Sequence, residues 1–323
     1  MGLFDLFKNK PKEENESADS ESKVSFEVLR DDGVRAMKMG EVDFATKCFT
    51  AALEMKDDLT TLSYLAEAQI RMQEYAKARP TLEKLVEQAP ENVTIHLLLA
   101  KTLGELKDFA AMKATAQNAL ALDADSVSAK YYLADASFRL GDPFNAIALL
   151  TQVIQKQPDF ADARSLRARI LCGMYQYQDA LEDTTALAET EPENEEYQLQ
   201  HAGVLEALEK NEEAEATLKK MIEYNPFNRD AILNLANLYD KMSLHDKALQ
   251  TLDEAIEMQP DFAKAYKMRG GIKLHLKDQA GAAEDLKKSL ELEPEIANQI
   301  EGEFSTLENK MNERYKNMNP YGF

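Results

Sequence analysis

Residues 229–262 read RDAILNLANLYDKMSLHDKALQTLDEAIEMQPDF, and this stretch decides the fold. Each half carries a small residue, Ala236 or Ala248, and Leu252 and Ile256 stand four apart, which places them on one stripe of a helix. Polar residues between the halves predict a short turn, and Pro260 ends the second half because proline cannot continue a helix. The stretch therefore predicts two amphipathic helices joined by a turn.

The same unit recurs along the chain with a period of 34 residues. Its clearest mark is a series of five prolines 34 residues apart, at Pro158, Pro192, Pro226, Pro260 and Pro294. A sixth proline, Pro90, precedes Pro158 by 68 residues, which is two periods. With each proline at position 32 of a unit, eight units follow, the first one residue shorter, at 26–58, 59–92, 93–126, 127–160, 161–194, 195–228, 229–262 and 263–296. Two such short helices cannot bury their apolar faces alone, so the units are expected to stack.

Two columns of these units hold small residues, as expected where two helices approach closely. Position 8 is occupied by Gly33, Ala66, Ala100, Ala134, Ala168, Ala202, Ala236 and Gly270. Position 20 is occupied by Ala45, Ala78, Met112, Ala146, Ala180, Ala214, Ala248 and Ala282. In most units larger apolar residues at positions 24 and 28 complete one stripe, so the first helix of a unit is predicted to pack tightly on the second.

These columns resemble the tetratricopeptide repeat family, whose pattern has Leu-Gly or Leu-Ala at positions 7 and 8, an aromatic residue at 11, alanine at 20 and proline at 32. The resemblance covers residues 26–296, although Tyr239 alone supplies an aromatic residue at position 11. It implies an all-α fold, a right-handed solenoid of eight helix-turn-helix units. It further implies that the first helix of each unit lines a concave wall that binds proteins or peptides.

Both ends of the chain depart from the repeat. Residues 1–25 hold a short apolar cluster, at residues 3–7, and then a run of Glu, Asp, Ser and Asn too polar to bury anything, so this segment is predicted to be disordered. After the last unit come five apolar residues spaced by four, four, three and four, namely Ile296, Ile300, Phe304, Leu307 and Met311. This spacing predicts a capping helix over residues 297–315. Residues 316–323 are expected to form a flexible tail.

Composition and charge exclude several function classes. A net charge of −20 argues against nucleic acid, because an acidic surface repels phosphates. The densest apolar stretch, residues 95–106, contains charged residues and is too short to predict a transmembrane segment. The two cysteines, Cys48 and Cys172, lie far apart and suit a reducing compartment, so a cytoplasmic location is expected.

The chain offers no recognisable catalytic chemistry. Its four histidines fall in different units and different columns, so no metal site is predicted. A glycine-rich phosphate loop and a nucleophile elbow are both missing from the sequence. We therefore expect no cofactor and no enzymatic activity.

Two units carry an unusual pair of charged residues. Position 7, where leucine is expected, holds Arg167 and Arg269, and only these two units hold aspartate at position 23, namely Asp183 and Asp285. Because position 7 points into the unit, each guanidinium needs a paired acceptor. The sequence predicts two structural ion pairs, Arg167 with Asp183 and Arg269 with Asp285.

The resemblance also identifies candidate binding residues, because in this family positions 2, 5, 6, 9, 12 and 13 of the first helix face inward. Aromatic rings beside charged and amide side chains suit an extended peptide. The candidates are Tyr64, Arg71, Lys101, Tyr131, Tyr132, Asp135, Arg139, Arg169, Asn234, Asn237, Lys264 and Lys267. The clamp by which some family members hold a chaperone carboxy-terminus is matched only at Asn234 and Lys264, so that partner is disfavoured.

Together these observations predict a non-catalytic scaffold that binds a partner protein or peptide in the groove of the solenoid. The sequence leaves the partner's identity and the oligomeric state open. An alternative is an adaptor at the membrane surface, tethered by the apolar cluster at residues 3–7, since a short apolar segment can make a peripheral membrane contact.

Overall fold

The protein is described by a computed structural model that covers residues 25–294, and all regular elements in this range are α-helices. Each 34-residue unit contains two of them. The first helices of the units, here called A helices, are α1 (Phe26–Met39), α3 (Leu59–Arg71), α5 (Val93–Glu105), α7 (Val127–Arg139), α9 (Ala161–Gly173), α11 (Glu195–Ala207), α13 (Arg229–Lys241) and α15 (Ala263–His275). The second, or B, helices are α2 (Val42–Met55), α4 (Tyr75–Gln88), α6 (Phe109–Leu122), α8 (Pro143–Lys156), α10 (Tyr177–Thr190), α12 (Asn211–Tyr224), α14 (His245–Met258) and α16 (Gln279–Leu292).

The predicted all-α architecture of two-helix units is thereby confirmed for the described residues. Three predictions fall outside them: the N-terminal segment before residue 25, the capping helix over residues 297–315 and the tail over residues 316–323. No described helix has both the length and the apolar character needed to cross a bilayer.

Backbone contacts divide the chain into two compact units, Met1–Tyr132 and Leu133–Phe323, and the division falls inside α7. In the first unit, each helix from α1 to α6 packs on the next one along the chain. In the second unit, the same holds from α8 to α16. Stability within each unit therefore comes from neighbouring helices.

The turn between the A and B helices is the same in all eight repeats. Position 15 has a positive φ, between 57° and 85°, in every repeat, yet only Gly40 and Gly141 are glycines. In the other six repeats a residue with a side chain adopts this left-handed conformation, which costs about 1–2 kcal/mol. Helix packing, rather than the residue type at the turn, therefore sets the chain reversal.

The small residues at positions 8 and 20 lie where the A and B helices of a repeat meet, as predicted. All the alanines of both columns are buried. A Cβ atom added at Gly33 would lie 2.5 Å from the Phe49 ring, and one added at Gly270 would lie 3.2 Å from the carbonyl oxygen of Ala282. Close approach of the helices thus requires these two glycines.

Repeat 3, which has Met112 in place of alanine at position 20, compensates on the facing helix. Met112 is only 2% exposed. Gly104 stands opposite, and a Cβ atom added there would lie 3.3 Å from the Met112 sulfur. Side-chain volume has been exchanged between two positions, so the larger Met112 side chain is buried between α5 and α6.

Candidate functional site

The ion pair of repeat 5 lies inside the repeat, away from any binding surface. Asp183 is completely buried, and Arg167 binds it with two hydrogen bonds, from Nε to Oδ2 and from Nη2 to Oδ1, both 2.7 Å. Arg164, one turn earlier on α9, donates a third at 2.9 Å. Arg167 Nη1 donates to the Thr151 hydroxyl oxygen at 3.0 Å, and the hydrogen bonds to Asp183 raise the pKa of Arg167. This network fixes α9 against α10.

Repeat 8 contains the matching network. Arg269 Nε donates to Asp285 at 2.9 Å, Lys273 Nζ reaches the same carboxylate at 2.8 Å, and Arg269 Nη1 contacts Asp253 at 2.6 Å. Burial acts to raise the pKa of Asp285, but hydrogen bonds from Arg269 and Lys273 outweigh it and hold that pKa below its usual value. Arg269 and Asp285 are therefore occupied in packing and are not available to a partner.

The twelve candidate binding residues do not all present free groups. Arg71 donates to Glu67 at 2.6 Å, and Arg139 donates to Asp135 at 3.2 Å, each pair spanning one helical turn. The Tyr64 ring stacks on buried Phe49 with centroids 5.5 Å apart. These candidates contribute to local packing or to intrahelical ion pairs.

The other candidates differ in how far they are exposed. Tyr131 and Tyr132 pack edge to face, with ring centroids 5.6 Å apart. Four candidates have exposed polar side chains, namely Lys101, Arg169, Asn234 and Lys264. Two more, Asn237 and Lys267, are half-buried.

A large cleft on the A helices of the second unit lies elsewhere, around Gly203. It has a volume of about 840 Å³ and is formed mainly by α11 and α13, with contributions from α9, α10 and the start of α12. We call it the Gly203 cleft. Its apolar lining includes Leu199, Val204, Ala207, Leu238 and Met242, and its polar lining includes Gln200, Glu206, Glu209 and Lys241. None of the twelve candidates lines it.

Gly203 has no structural reason to be a glycine. It lies in the interior of α11, is exposed, and a Cβ atom added there would meet nothing within 4 Å. Glycine at such a position costs about 1 kcal/mol relative to alanine. Gly271, at the same position of repeat 8, has equally open surroundings, whereas Gly33 and Gly270 are required by packing. The missing side chain keeps the backbone of α11 open to an approaching ligand.

Polar contacts hold the walls of the Gly203 cleft in place. Gln200 Nε2 donates to the Ser165 carbonyl at 3.0 Å, and Gln200 Oε1 accepts from the Ser165 hydroxyl at 3.2 Å, so these two bonds tie α11 to α9. Lys241 on α13 forms an ion pair with Glu206 on α11. A preformed cleft of this kind binds a ligand at a smaller entropic cost than a flexible one.

Burial shifts the pKa of two titratable groups near the Gly203 cleft. Burial raises the pKa of the Cys172 thiol, which therefore lines the cleft as a small apolar group. The ring of His201 contacts the Thr184 hydroxyl at 3.2 Å, and burial lowers its pKa, so it is neutral near pH 7. Among residues 25–294, no three His, Cys, Asp or Glu side chains are grouped to hold a metal ion.

Sequence models identify the family. One tetratricopeptide repeat model matches residues 105–170 and 205–270, and a second matches residues 61–92. The matched segments together make up about half of the chain. The chain belongs to the tetratricopeptide repeat family, and its described residues, 25–294, form eight two-helix units of an all-α repeat solenoid.

Two solved structures with a TM-score of 0.50 share the fold. YrrB, a tetratricopeptide repeat protein with an unusual peptide-binding site, is 22% identical, and the match covers 61% of this chain and 97% of that one with a TM-score of 0.50. The Cut9–Hcn1 hetero-tetramer of the APC/C is 15% identical over 78% of this chain and 50% of that one, again with a TM-score of 0.50. A repeat protein from Parabacteroides merdae is 17% identical over 83% of this chain and 93% of that one, with a TM-score of 0.49. No curated protein sequence matches significantly.

Proposed function

We propose that the protein is a non-catalytic scaffold that binds a segment of a partner protein on its A helices, with the Gly203 cleft as the main binding site. The observation that carries this proposal is that the α11 backbone is open at Gly203, although internal packing does not require a glycine there. Family membership supports a protein-interaction role. YrrB, which shares the fold, has a peptide-binding site of its own.

The chemistry of the cleft indicates what it would bind. Leu199, Leu238 and Met242 suit a large apolar side chain, and methionine adapts its shape to the ligand. The bare α11 backbone at Gly203 lets the partner's main chain come close. A segment with an aromatic or large aliphatic anchor in an extended conformation therefore fits best.

Candidate residues outside the cleft are proposed as flanking contacts. Within the second unit these are Asp135, Arg139, Arg169, Asn234, Asn237, Lys264 and Lys267. Within the first unit Tyr64, Arg71, Lys101, Tyr131 and Tyr132 are proposed as a separate contact surface. We further infer a cytoplasmic location, supported by two unpaired cysteines, Cys48 and Cys172.

Filling the cleft should abolish partner binding. Gly203→Trp places a large ring where nothing lies within 4 Å, so the fold should tolerate it while the cleft is blocked. Ala216→Trp, at an exposed position of α12 outside the cleft, is the matched control. In affinity capture from lysate, we expect Gly203→Trp to reduce recovery of bound proteins about tenfold or more, because loss of an anchoring contact costs about 2 kcal/mol. Ala216→Trp should match the natural chain, and equal recovery by both tryptophan variants would refute the cleft as the site.

A further inference from the structure

A second cleft lies between two B helices, α12 and α14, with α13 as its floor. It has a volume of about 490 Å³. Ile232, Leu235 and Tyr239 of α13 form the apolar floor, and Ile222 and Met258 contribute apolar side chains from the two walls. We call it the B-helix groove. It shares no lining residue with the Gly203 cleft.

One end of the B-helix groove is cationic. Lys219 Nζ lies 2.6 Å from Glu215 Oε1, and Lys247 Nζ lies 4.0 Å from the same oxygen. The Tyr239 hydroxyl donates to that oxygen at 2.8 Å. Two ammonium groups thus share one carboxylate, which leaves an excess of one positive charge.

The other end of the groove is anionic. Glu223 lies on α12 and Glu254 on α14, and both side chains are exposed. Among the described residues, neither carboxylate forms an ion pair with a lysine or arginine; Glu254 accepts only a hydrogen bond from Gln250, at 2.8 Å. Lys247 and Glu254 are seven residues apart on α14, so the two charges are separated by about 10 Å along the helix.

The first twelve residues of the chain, MGLFDLFKNKPK, complement this groove. They combine an apolar cluster with one acidic residue, Asp5, followed by the three lysines Lys8, Lys10 and Lys12. This segment is basic in a chain whose net charge is −20. In an extended chain Asp5 and Lys8 are about 10 Å apart, which matches the separation of the two ends of the groove.

We propose that the B-helix groove binds residues 1–12 of a second copy of this chain. The leucines and phenylalanines of the segment pack against Ile222 and Met258, over the largely buried floor of the groove. Asp5 pairs with Lys219 and Lys247, and Lys8 and Lys10 pair with Glu223 and Glu254. Two acidic chains otherwise repel each other, so association requires a local contact of opposite charges. Because the donated and the accepting surfaces differ, this contact is heterologous and joins copies head to tail.

A peptide titration tests the contact directly. The peptide of residues 1–12, labelled at its carboxy-terminus, is added to full-length protein that carries Phe4→Asp and Phe7→Asp, so that the chain's own segment does not compete. We expect saturable binding that weakens about tenfold or more in the groove variant Glu223→Lys with Glu254→Lys. The matched control, Glu189→Lys with Glu257→Lys, reverses two exposed charges at B-helix positions outside the groove. Its affinity for the peptide should stay within about twofold of that of the protein with the unchanged groove.

Charge reversal in the peptide provides a stricter test. A peptide with Lys8→Glu and Lys10→Glu should bind the intact groove poorly. Its binding should recover on the groove variant, in which the charges are again opposite. Sedimentation of the full chain should show concentration-dependent association, lost in the groove variant and in the Phe4→Asp, Phe7→Asp variant but restored by mixing the two. Equal peptide binding by the groove and control variants, sedimentation independent of concentration, or a segment that binds only anionic lipid vesicles would each overturn the proposal.

Discussion

Replacing Asp183 by alanine is expected to lower the free energy of unfolding by about 3–5 kcal/mol. Asp183 is completely buried and accepts hydrogen bonds from both Arg167 and Arg164. Its removal leaves the Arg167 guanidinium, which is only 13% exposed, without a counter-charge in the interior of repeat 5. An unpaired buried charge is among the most destabilising defects that a single substitution can produce.

The matched comparison removes Arg167 and Asp183 together, while Arg164 keeps its hydrogen bond to the Pro158 carbonyl at 3.0 Å. Arg167→Leu with Asp183→Thr installs the residue types that several other repeats carry at positions 7 and 23, such as Leu235 and Thr251. Replacing a buried ion pair by apolar packing is often neutral or stabilising. Urea unfolding followed by circular dichroism should therefore show near-native stability for the double variant, and a double variant as unstable as Asp183→Ala would contradict this interpretation.

Gly33→Ala is expected to destabilise the first unit by about 1–3 kcal/mol, although alanine is the better helix former. The added methyl group would lie 2.5 Å from the fully buried Phe49 ring, which is itself stacked on Tyr64. Neither the ring nor the helix backbone can move away without disturbing this packing. Six other repeats have alanine at this position together with a smaller residue than phenylalanine at position 24, as in Ala236 with Leu252.

The double variant Gly33→Ala with Phe49→Leu should recover part of the loss, because it exchanges volume across the same contact. The opposite result is expected for Gly203→Ala, which should gain up to about 1 kcal/mol because its surroundings are open. Thermal and urea unfolding of the natural chain and the three variants measures these differences in the free energy of unfolding. If Gly33→Ala and Gly203→Ala had the same effect, the distinction between packed and open glycines would be wrong.

The sequence predicts the repeat architecture well, because its signal is repeated eight times. Proline spacing and the small residues at positions 8 and 20 define each helix pair without reference to tertiary structure. The partners of Arg167 and Arg269 were also expected, since two rare residue types occur together only in these repeats. The additional cations, Arg164 and Lys273, were not expected, because each reaches the carboxylate from one turn away along its own helix.

Clefts are harder to predict than helices. The sequence shows glycines at both Gly33 and Gly203, but only the structure distinguishes a glycine pressed against a ring from one facing open space. The signal for the Gly203 cleft is present in Gly203 and Ala207, which stand at positions 9 and 13 of the same helix, two of the positions that the family resemblance predicts to face inward. A search for charged and aromatic residues passes over them, because a cleft is made by side chains that are small.

The most direct test of the central claim is photo-crosslinking from inside the Gly203 cleft. A photoreactive phenylalanine derivative is placed at Ala207, which lines the cleft, or at Ala216, which is exposed on α12 outside it. A partner bound on the A helices should crosslink from position 207, through one continuous segment of its chain, and not from position 216. Partner crosslinks of equal yield at both positions, or at position 216 alone, would contradict the account.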